Sequence, residues 1–583
     1  MPKKKIKLTI DGKKITALTG QTILKVAQKN GIKIPTLCYH EDLKPEGRCG
    51  VCGVEVNGKI KTSCNNLIQA GMIIKTNSKK VQEYRKTNVQ LVGSNFAREE
   101  AFKKWLKLEN LPDIQELRFK PKEKEKIDCS ACDISIDFSK CVLCGRCIQK
   151  CRDTQSVNAI CFAQRANAMK VGTYFDKKII NTTCVGCGQC ALVCPTGAIK
   201  ERDYINEVEK ALADKKKHVI IQTAPSLRVA LGEEFNLPAG TLVTGQMINA
   251  LRKLGFDKIF DTNFGADLTI MEEANELIYR IKSSSSQKNN KEMPMFTSCC
   301  PGWVNFLETF YPEMRKHLSA CKSPQQMFGA IVKTYYAQKF KINPQNIIVV
   351  SAMPCTAKKY EARRKEMNSS GYQDVDYALT TREIARLIKK KNIDFKKLKN
   401  EEFDLPLGQA SGGGAIFGAS GGVMESAIRT AHYILTGKEF TKGLDRSGEK
   451  NIEYTAVRGI QGIKKATIKI GTLKLNLAVV QGLANARKIL AEIKNKKAKY
   501  HFVEVMACPG GCIGGGGQPQ PTTMEIVKKR ASAIYQQDRI LKFRQAHNNP
   551  QIQQLYQEFL KKPLSKKSHK LLHTTYKDKS KRV

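Results

Sequence analysis

The sequence predicts an α/β domain with largely parallel sheets, preceded by two small cysteine-rich units. After residue 206, short apolar runs of strand character such as IIVVSAM and HFVEVM alternate with helical patterns, as expected of strands joined by crossover helices. Before it, CVLCGRCIQKC is repeated about forty residues later as CVGCGQCALVC. Ahead of that repeat, four cysteines fall within a segment of alternating apolar and polar residues.

The bulk numbers bound the class. A chain of 583 residues, 41% hydrophobic, can build several cores. No run of about 18 uncharged apolar residues occurs, and the start MPKKKIKLTIDGKKI lacks an apolar core and a small-residue cleavage site. The expected location is cytoplasmic, or an organellar matrix in a eukaryote. There the 21 cysteines stay reduced, so short fixed spacings point to metal rather than disulfides. The net charge of +45 invites a nucleic-acid partner, but lysine is spread along the chain without a zinc-finger, helix-turn-helix or RNP-like pattern. Neither nucleic acid nor membrane is expected; a biased composition or an acidic redox partner accounts for the charge.

In chain order, KIKLTI and VCGVEV read as short strands around a helix near ILKVAQKNG. Cys38, Cys49, Cys52 and Cys64 in this segment suit zinc or a 2Fe-2S cluster, and the glycines of GRCGVCG favour iron and sulfide by letting backbone amides approach the sulfurs. RFKPKEKEKID reads as a solvated linker. The repeat that follows has the spacing C-x2-C-x2-C-x3-C, in which three thiolates wrap one cubane and the fourth reaches the other. Cys141, Cys144, Cys147 and Cys194 are therefore expected to hold one 4Fe-4S cluster, and Cys184, Cys187, Cys190 and Cys151 the second.

In the α/β region, MPMFTSCCPGW, NIIVVSAMPCTAKKYEA and HFVEVMACPGGC each place cysteines after a strand-like run. Ligands bind at the carboxyl ends of strands in such sheets, so the three loops can share one pocket and bring Cys300, Cys355, Cys508 and Cys512 together. Four separate buried cysteines are the plain alternative, and the Pro and Gly beside each argue against it. The glycine clusters do not fit either nucleotide-binding motif in register.

TSCCPGW, MPCTAKKYE and EVMACPGGCIGGGGQP resemble the three signature motifs of the iron-only (FeFe) hydrogenases. KSPQQMFGA, FGASGGVMESA and the tail SHKLLHTTY extend the likeness over most of the chain. The resemblance implies a β-grasp, 2Fe-2S ferredoxin-like domain at 1–78, a degenerate cluster segment and charged linker at 79–127, and a two-cluster ferredoxin-like domain at 128–205. It further implies a catalytic domain at 206–524 around a buried metal cluster and a wrapping segment at 525–583.

The implied reaction is the reversible reduction of protons to H2. It takes place at an H-cluster, a 4Fe-4S cubane on Cys300, Cys355, Cys508 and Cys512 bridged through Cys512 to a two-iron unit with CO, cyanide and a dithiolate. The glycines beside Cys512 are expected to make room for that unit. Adjacent residues of an extended loop point opposite ways, so Cys299 can face the open iron site. Protons would pass through Cys299, Glu273, Ser319, Glu276 and Arg280, of which Glu273, Glu276 and Arg280 share a helix face. From spacing alone such a stripe reads as a solvated face. Lys358 would contact a cyanide, with Pro225, Ser323, Gln325, Met353, Phe417 and Met506 lining the cavity.

The implied partners are an acidic ferredoxin or similar carrier, maturation enzymes that deliver the two-iron unit, and NAD-linked subunits in a multi-subunit variant. A non-enzymatic relative devoted to iron-sulfur assembly is the rival, but the residues such a relative would lose are present. The sequence departs from the long form in one respect. Where that form has an H-x3-C-x2-C-x5-C cluster motif, this chain has Phe96, Glu100, Lys103 and Glu109, so that cluster is expected to be absent and electrons to enter directly at a cubane. Cys129 and Cys132 read as free thiols or a labile pair, Cys161 and Cys321 as core residues, and His569 and His573 as packing residues that could bind metal if helical.

Overall fold

The computed structural model describes residues 4–93, 106–107, 127–165, 168–284, 293–439 and 455–582. Phe96, Glu100, Lys103 and Glu109 lie outside the described residues, as does most of the charged linker.

Strands β1 (Lys5–Ile10) and β2 (Lys13–Leu18) form a hairpin whose turn residues Asp11 and Gly12 have φ of 47° and 80°. β3 (Gly53–Val56) and β4 (Lys59–Thr62) repeat the device at Asn57 and Gly58, with φ of 48° and 81°. Asp-Gly and Asn-Gly supply the two positive φ values that a twisted two-residue hairpin requires. With β5 (Ile73–Lys75) parallel to β1, the sheet order is β2-β1-β5-β3-β4. The helix Ile23–Lys29, capped by the Thr22 side chain, buries Ile23, Leu24, Val26 and Ala27 against it, a β-grasp arrangement. The segment at 79–127, expected to be a degenerate cluster segment and charged linker, opens with a helix, Lys79–Gly93, whose Arg85 donates to the Gly53 carbonyl at 2.9 Å.

The cysteine repeat lies between two short antiparallel pairs. β6 (Ile134–Ile136) pairs with β9 (Ile199–Glu201), and β7 (Cys161–Ala163) with β8 (Lys170–Gly172). Cys161, expected in a core, is only partly buried on its short strand, whereas Cys321 is buried as expected.

Two four-stranded sheets build the α/β region. β10 (His218–Thr223), β11 (Lys258–Asp261), β13 (Ile347–Met353) and β14 (Tyr377–Thr380) form an all-parallel sheet of order β11-β10-β13-β14. β12 (Met295–Phe296), β15 (Ile463–Ile470), β16 (Leu473–Gln481) and β17 (Phe502–Met506) form the second, of order β12-β17-β16-β15, parallel except for the β15/β16 hairpin. The central strands β10, β13 and β17 are buried on both faces, as strands of a covered parallel sheet are. The long helix Thr262–Ser284 runs beside the helices Pro324–Ile331 and Gly422–Thr436. The C-terminal stretch follows the outside of this region, tied by Arg530 to Glu233, Asp538 to Arg429 and the Tyr556 hydroxyl to Glu272. No helix among the described residues is long and apolar enough to cross a membrane.

Candidate active site and cluster cavities

Three strand ends deliver thiols to one cavity. Cys299 and Cys300 follow β12, Cys355 follows β13, and Cys508 and Cys512 follow β17; all five line it. Cys300 caps the helix Pro301–Phe310, where Pro301 at the first turn lacks the amide that would otherwise go unpaired, and its sulfur accepts from the Ala507 amide at 3.4 Å. Cys299 and Cys300 both line this space. Burial pushes the Cys355 thiol up to about 12 and drives Cys508 and Cys512 higher, with neighbouring thiols adding to the effect. A crowd of buried thiols is resolved by a cationic centre that takes their protons, and an all-sulfur set suits iron-sulfide rather than a hard cation. The residues therefore fit a cluster.

Pro225, Gln325, Met353, Phe417, Met506 and Lys358 line the same cavity, while Ser323 does not. Ser323 donates to Glu361 Oε2 at 2.8 Å, and Gln325 to the same oxygen at 3.1 Å. Lys358 Nζ lies 2.8 Å from that oxygen and 3.0 Å from the Cys299 carbonyl. Burial works against the Lys358 ammonium, but Glu361 and the nearby sulfurs more than offset it. Glu361 is thus the hub of the polar wall, and sequence reasoning missed it; its place three residues after Lys358 on one helix was the available signal. Glu504 was missed too. Burial pushes its carboxyl up to about 7, and it accepts from the Gly421 and Met424 amides at 2.6 and 2.9 Å, fastening the glycine-rich turn behind Met506.

The Glu273, Glu276 and Arg280 stripe is buried, which overturns the solvated-face reading from spacing. Arg280 donates to Glu276 Oε1 at 2.7 and 3.1 Å and to the Leu318 carbonyl at 2.7 Å. The Ser319 hydroxyl donates to Glu276 Oε2 at 2.8 Å and also interacts with Glu273. Burial, then the Glu276 charge, pushes Glu273 up to about 8, and its Oε2 is buried without a hydrogen-bond partner. The Cys299 thiol is raised by burial and then by Glu273, so all five residues form one electrostatically connected file.

The glycine run is also crowded by neighbouring backbone. A Cβ on Gly516 would sit 2.4 Å from the Cys187 carbonyl oxygen, and one on Gly515 2.3 Å from the Pro354 oxygen. At Gly511, φ is 88° and a Cβ would meet the Ser420 amide nitrogen at 2.7 Å. Only Gly511 and Gly515 of the run line the cavity. Glycine is required at these positions because other backbone segments come into contact there. One is the Cys187–Gly188 turn of the cysteine repeat, further fastened by Gln189 to the Gly514 carbonyl at 2.8 Å and Gln155 to the Ala507 carbonyl at 2.9 Å.

The repeat makes two cavities of its own. Cys141, Cys144, Cys147 and Cys194 line one; Cys151, Cys184, Cys187 and Cys190 line the other, the crossed grouping read from the spacing. In the β-grasp unit Cys38 hydrogen-bonds with Cys49 and Cys64, and Cys52 with Cys64, so those four thiols also meet. Cys49 and Cys144 pack against the same apolar cluster of Leu37, Val51, Val89, Val92, Leu106 and Val142. Arg48 stacks over Phe162 at 4.5 Å across that junction. The first and second cysteine-rich units thus pack directly against each other at this junction.

Comparison with known families and proteins agrees in four places. Residues 217–516 match the iron only hydrogenase large subunit, C-terminal domain, and 524–579 the iron hydrogenase small subunit. Residues 3–79 match a 2Fe-2S iron-sulfur cluster binding domain, and 134–201 a 4Fe-4S dicluster domain. The chain is 44% identical over 584 residues to the NADP-reducing hydrogenase subunit HndD of Solidesulfovibrio fructosivorans, covering 98% of each. It is 42% identical over 587 residues to iron hydrogenase 1 of Clostridium pasteurianum, covering 98% of this chain and 99% of that one. The structure of a variant of apo [FeFe]-hydrogenase HydA1 from Chlamydomonas reinhardtii aligns with a TM-score of 0.56 at 39% identity, over 64% of this chain and 99% of that one.

Proposed function

The chain belongs to the iron-only hydrogenase family, and on that premise we propose which of its residues carry the reaction. It is an oxidoreductase acting on hydrogen, with 2Fe-2S and 4Fe-4S domains for electron relay and an H-cluster domain. Cys300, Cys355, Cys508 and Cys512 would hold the cubane of the H-cluster, and Cys512 the two-iron unit as well. When bound, that group supplies the iron site at which protons and electrons combine to H2 or H2 is split.

The protein's own contribution is transport and shielding. Cys299 passes a proton between the cavity and Glu273. Glu273, largely protonated near pH 7, exchanges it with the Ser319 hydroxyl, and Glu276 and Arg280 carry it outward. Lys358, held by Glu361 and the Cys299 carbonyl, supplies positive charge at the wall, where anionic ligands gain most from it. The Met and Pro lining excludes water. Electrons reach the cavity through the Cys38 set, the Cys141 set and the Cys184 set in series, which the shared packing of Cys49 with Cys144 and the Cys187–Gly516 contact support. The outer donor would be an acidic ferredoxin-type carrier. NAD(P)-linked subunits are the alternative, favoured by the name of the 44% identical relative.

The meeting of four thiols from three strand ends, with a fifth that lines the same cavity and feels the Glu273 charge, carries this reading. Its test is anaerobic expression, loading with a synthetic two-iron precursor, and H2 evolution from reduced methyl viologen beside Cys299→Ala. Infrared CO and cyanide bands in both proteins, with activity only in the parent, are expected. Equal activity in both would refute the proton role of Cys299, and absence of the bands from the parent would refute the cluster assignment. Purification with or without bound subunits separates the two electron donors.

A further inference from the structure

Beside the proton file, and sharing Glu276 with it, lies a buried triad whose other two members, Cys321 and His573, the file does not use. A carboxylate oxygen of Glu276, the Cys321 sulfur and a ring nitrogen of His573 lie within 4.8 Å of one another, and all three residues are buried. They come from distant segments: Cys321 makes a strand-like bridge with His573 of the C-terminal stretch, opposite the helix that carries Glu276. Glu276 Oε1 is held by Arg280, while Oε2 accepts from Ser319 at 2.8 Å and faces the Cys321 thiol at 3.7 Å.

His573 is oriented from behind. Its Nε2 lies 3.0 Å from Glu272 Oε2, and Glu272 is itself fixed by the Tyr556 hydroxyl at 2.6 Å and the Leu564 amide at 3.0 Å. An ionised carboxylate only accepts, so in the neutral ring that binds a metal the proton belongs on Nε2 and the lone pair on Nδ1. Nδ1 has no hydrogen-bond partner although His573 is only 8% exposed. A buried acceptor left unpaired costs about 1–3 kcal/mol. A carboxylate behind an imidazole with its lone pair in front is the arrangement that metal-binding histidines use.

We propose that Glu276, Cys321 and His573 bind a zinc-class divalent cation, and that its binding closes the proton route through Glu276. The site stands on geometry alone; the closure rests on the relay reading above. One sulfur, one nitrogen and one oxygen suit a tetrahedral borderline-soft ion with water in the fourth place, whereas calcium and magnesium require oxygen ligands. On binding, Cys321 gives up its thiol proton to solvent and the metal–sulfur bond replaces it, so one proton leaves per cation bound. Glu276 Oε2, once on the cation, no longer accepts from Ser319. His569 is exposed with its ring centroid 4.1 Å from that of His573, which places the surface one residue away.

The test uses the full chain with its iron-sulfur clusters in a Cys129→Ser, Cys132→Ser background, which removes the other candidate pair of thiols. Equilibrium dialysis against zinc chloride should give one more tightly bound zinc than in Cys321→Ala or His573→Ala. Zinc-edge absorption should show one sulfur at about 2.3 Å with nitrogen or oxygen at about 2.0 Å. Glu272→Gln should weaken binding roughly 10- to 100-fold and the ligand variants by more. H2 evolution should fall in step with occupancy in the parent, and zinc should leave Cys321→Ala and His573→Ala at their zinc-free rates. Equal zinc uptake by the parent and both variants would overturn the site. A filled site with an undiminished rate would overturn the closure, and the relay through Glu276 with it, while leaving the binding result intact.

Discussion

Glu273→Gln is the sharpest probe of the proton file because the structure sets both its size and its sign. The native carboxyl is buried and pushed from 4.5 up to about 8, first by burial and then by Glu276. At pH 7 about nine-tenths of it is therefore protonated, a form that can donate to one neighbour while accepting from the other. Ionising it in place costs on the order of 5 kcal/mol more than ionising a solvated carboxyl. Because the folded state holds this proton more tightly than the unfolded state, its contribution to stability is fully present below about pH 4.5 and is lost as pH rises to about 8.

Gln keeps the shape and removes the exchangeable proton. The rate of H2 evolution should fall by roughly 10²–10⁴, the usual worth of a positioned proton carrier. The parent should lose activity above about pH 8 as Glu273 empties, and the variant should lack that limb. Its thermal midpoint should also decline less than the parent's between about pH 5 and 8. Gas chromatography with reduced methyl viologen reads the rate, and infrared bands verify equal loading. A fully loaded variant within tenfold of the parent at pH 7 would refute the file, and parallel stability profiles would refute the buried protonated carboxyl.

Arg280→Ala strands Glu276 inside the protein, and loss of a buried partner costs about 3–5 kcal/mol, so a markedly lower thermal midpoint is expected, with partial rescue by Arg280→Lys. Gly516→Ala puts a methyl 2.4 Å from the Cys187 carbonyl oxygen and must part the two backbones; overpacking of this kind costs about 1–3 kcal/mol. Its thermal midpoint should fall and its viologen-driven rate with it, and an unchanged midpoint would show that the contact is not close. Cys38→Ser should remove the 2Fe-2S paramagnetic signal and two irons per chain by elemental analysis while the 4Fe-4S signals persist. Loss of all signals would show that the β-grasp unit holds up the rest.

What the sequence disclosed and what it hid divide by distance along the chain. The crossed sets at Cys141–Cys147 with Cys194 and Cys184–Cys190 with Cys151 were legible because cubane ligation imposes a short local spacing. The strand ends before Cys300, Cys355 and Cys508 were legible because parallel strands covered on both faces leave continuous apolar runs. Glu361 and Glu504 were missed, since a buried carboxylate is recognised by its donors, and apart from Lys358 those sit at Ser323, Gln325, Gly421 and Met424 in other segments. The helix of Glu273 and Arg280 was ambiguous for the same reason. Its polar stripe looks solvated until Ser319 and the Leu318 carbonyl are seen to cover it. His573 read as packing because Cys321 lies some 250 residues before it.

The same distance hid the backbone crowding at the glycines, and that crowding bears on how the parts work together. An electron carrier and a hydrogen-activating cavity exchange electrons well only if their metal sites are close, and side chains at the junction would hold them apart. At Gly516 no side chain intervenes between the α/β domain and the Cys187–Gly188 turn, and Gln189 and Gln155 bond straight to carbonyls of the loop that presents Cys508 and Cys512. The turn that wraps one cluster is thus built into the wall of the next. At the other end of the repeat a small apolar cluster joins Cys49 to Cys144, a softer joint made by side chains. The strict joint adjoins the chemistry and the looser one adjoins the outer unit. Substitutions should therefore be far less tolerated at Gly516 than at Leu37 or Val142, because a side chain can repack and a backbone carbonyl cannot.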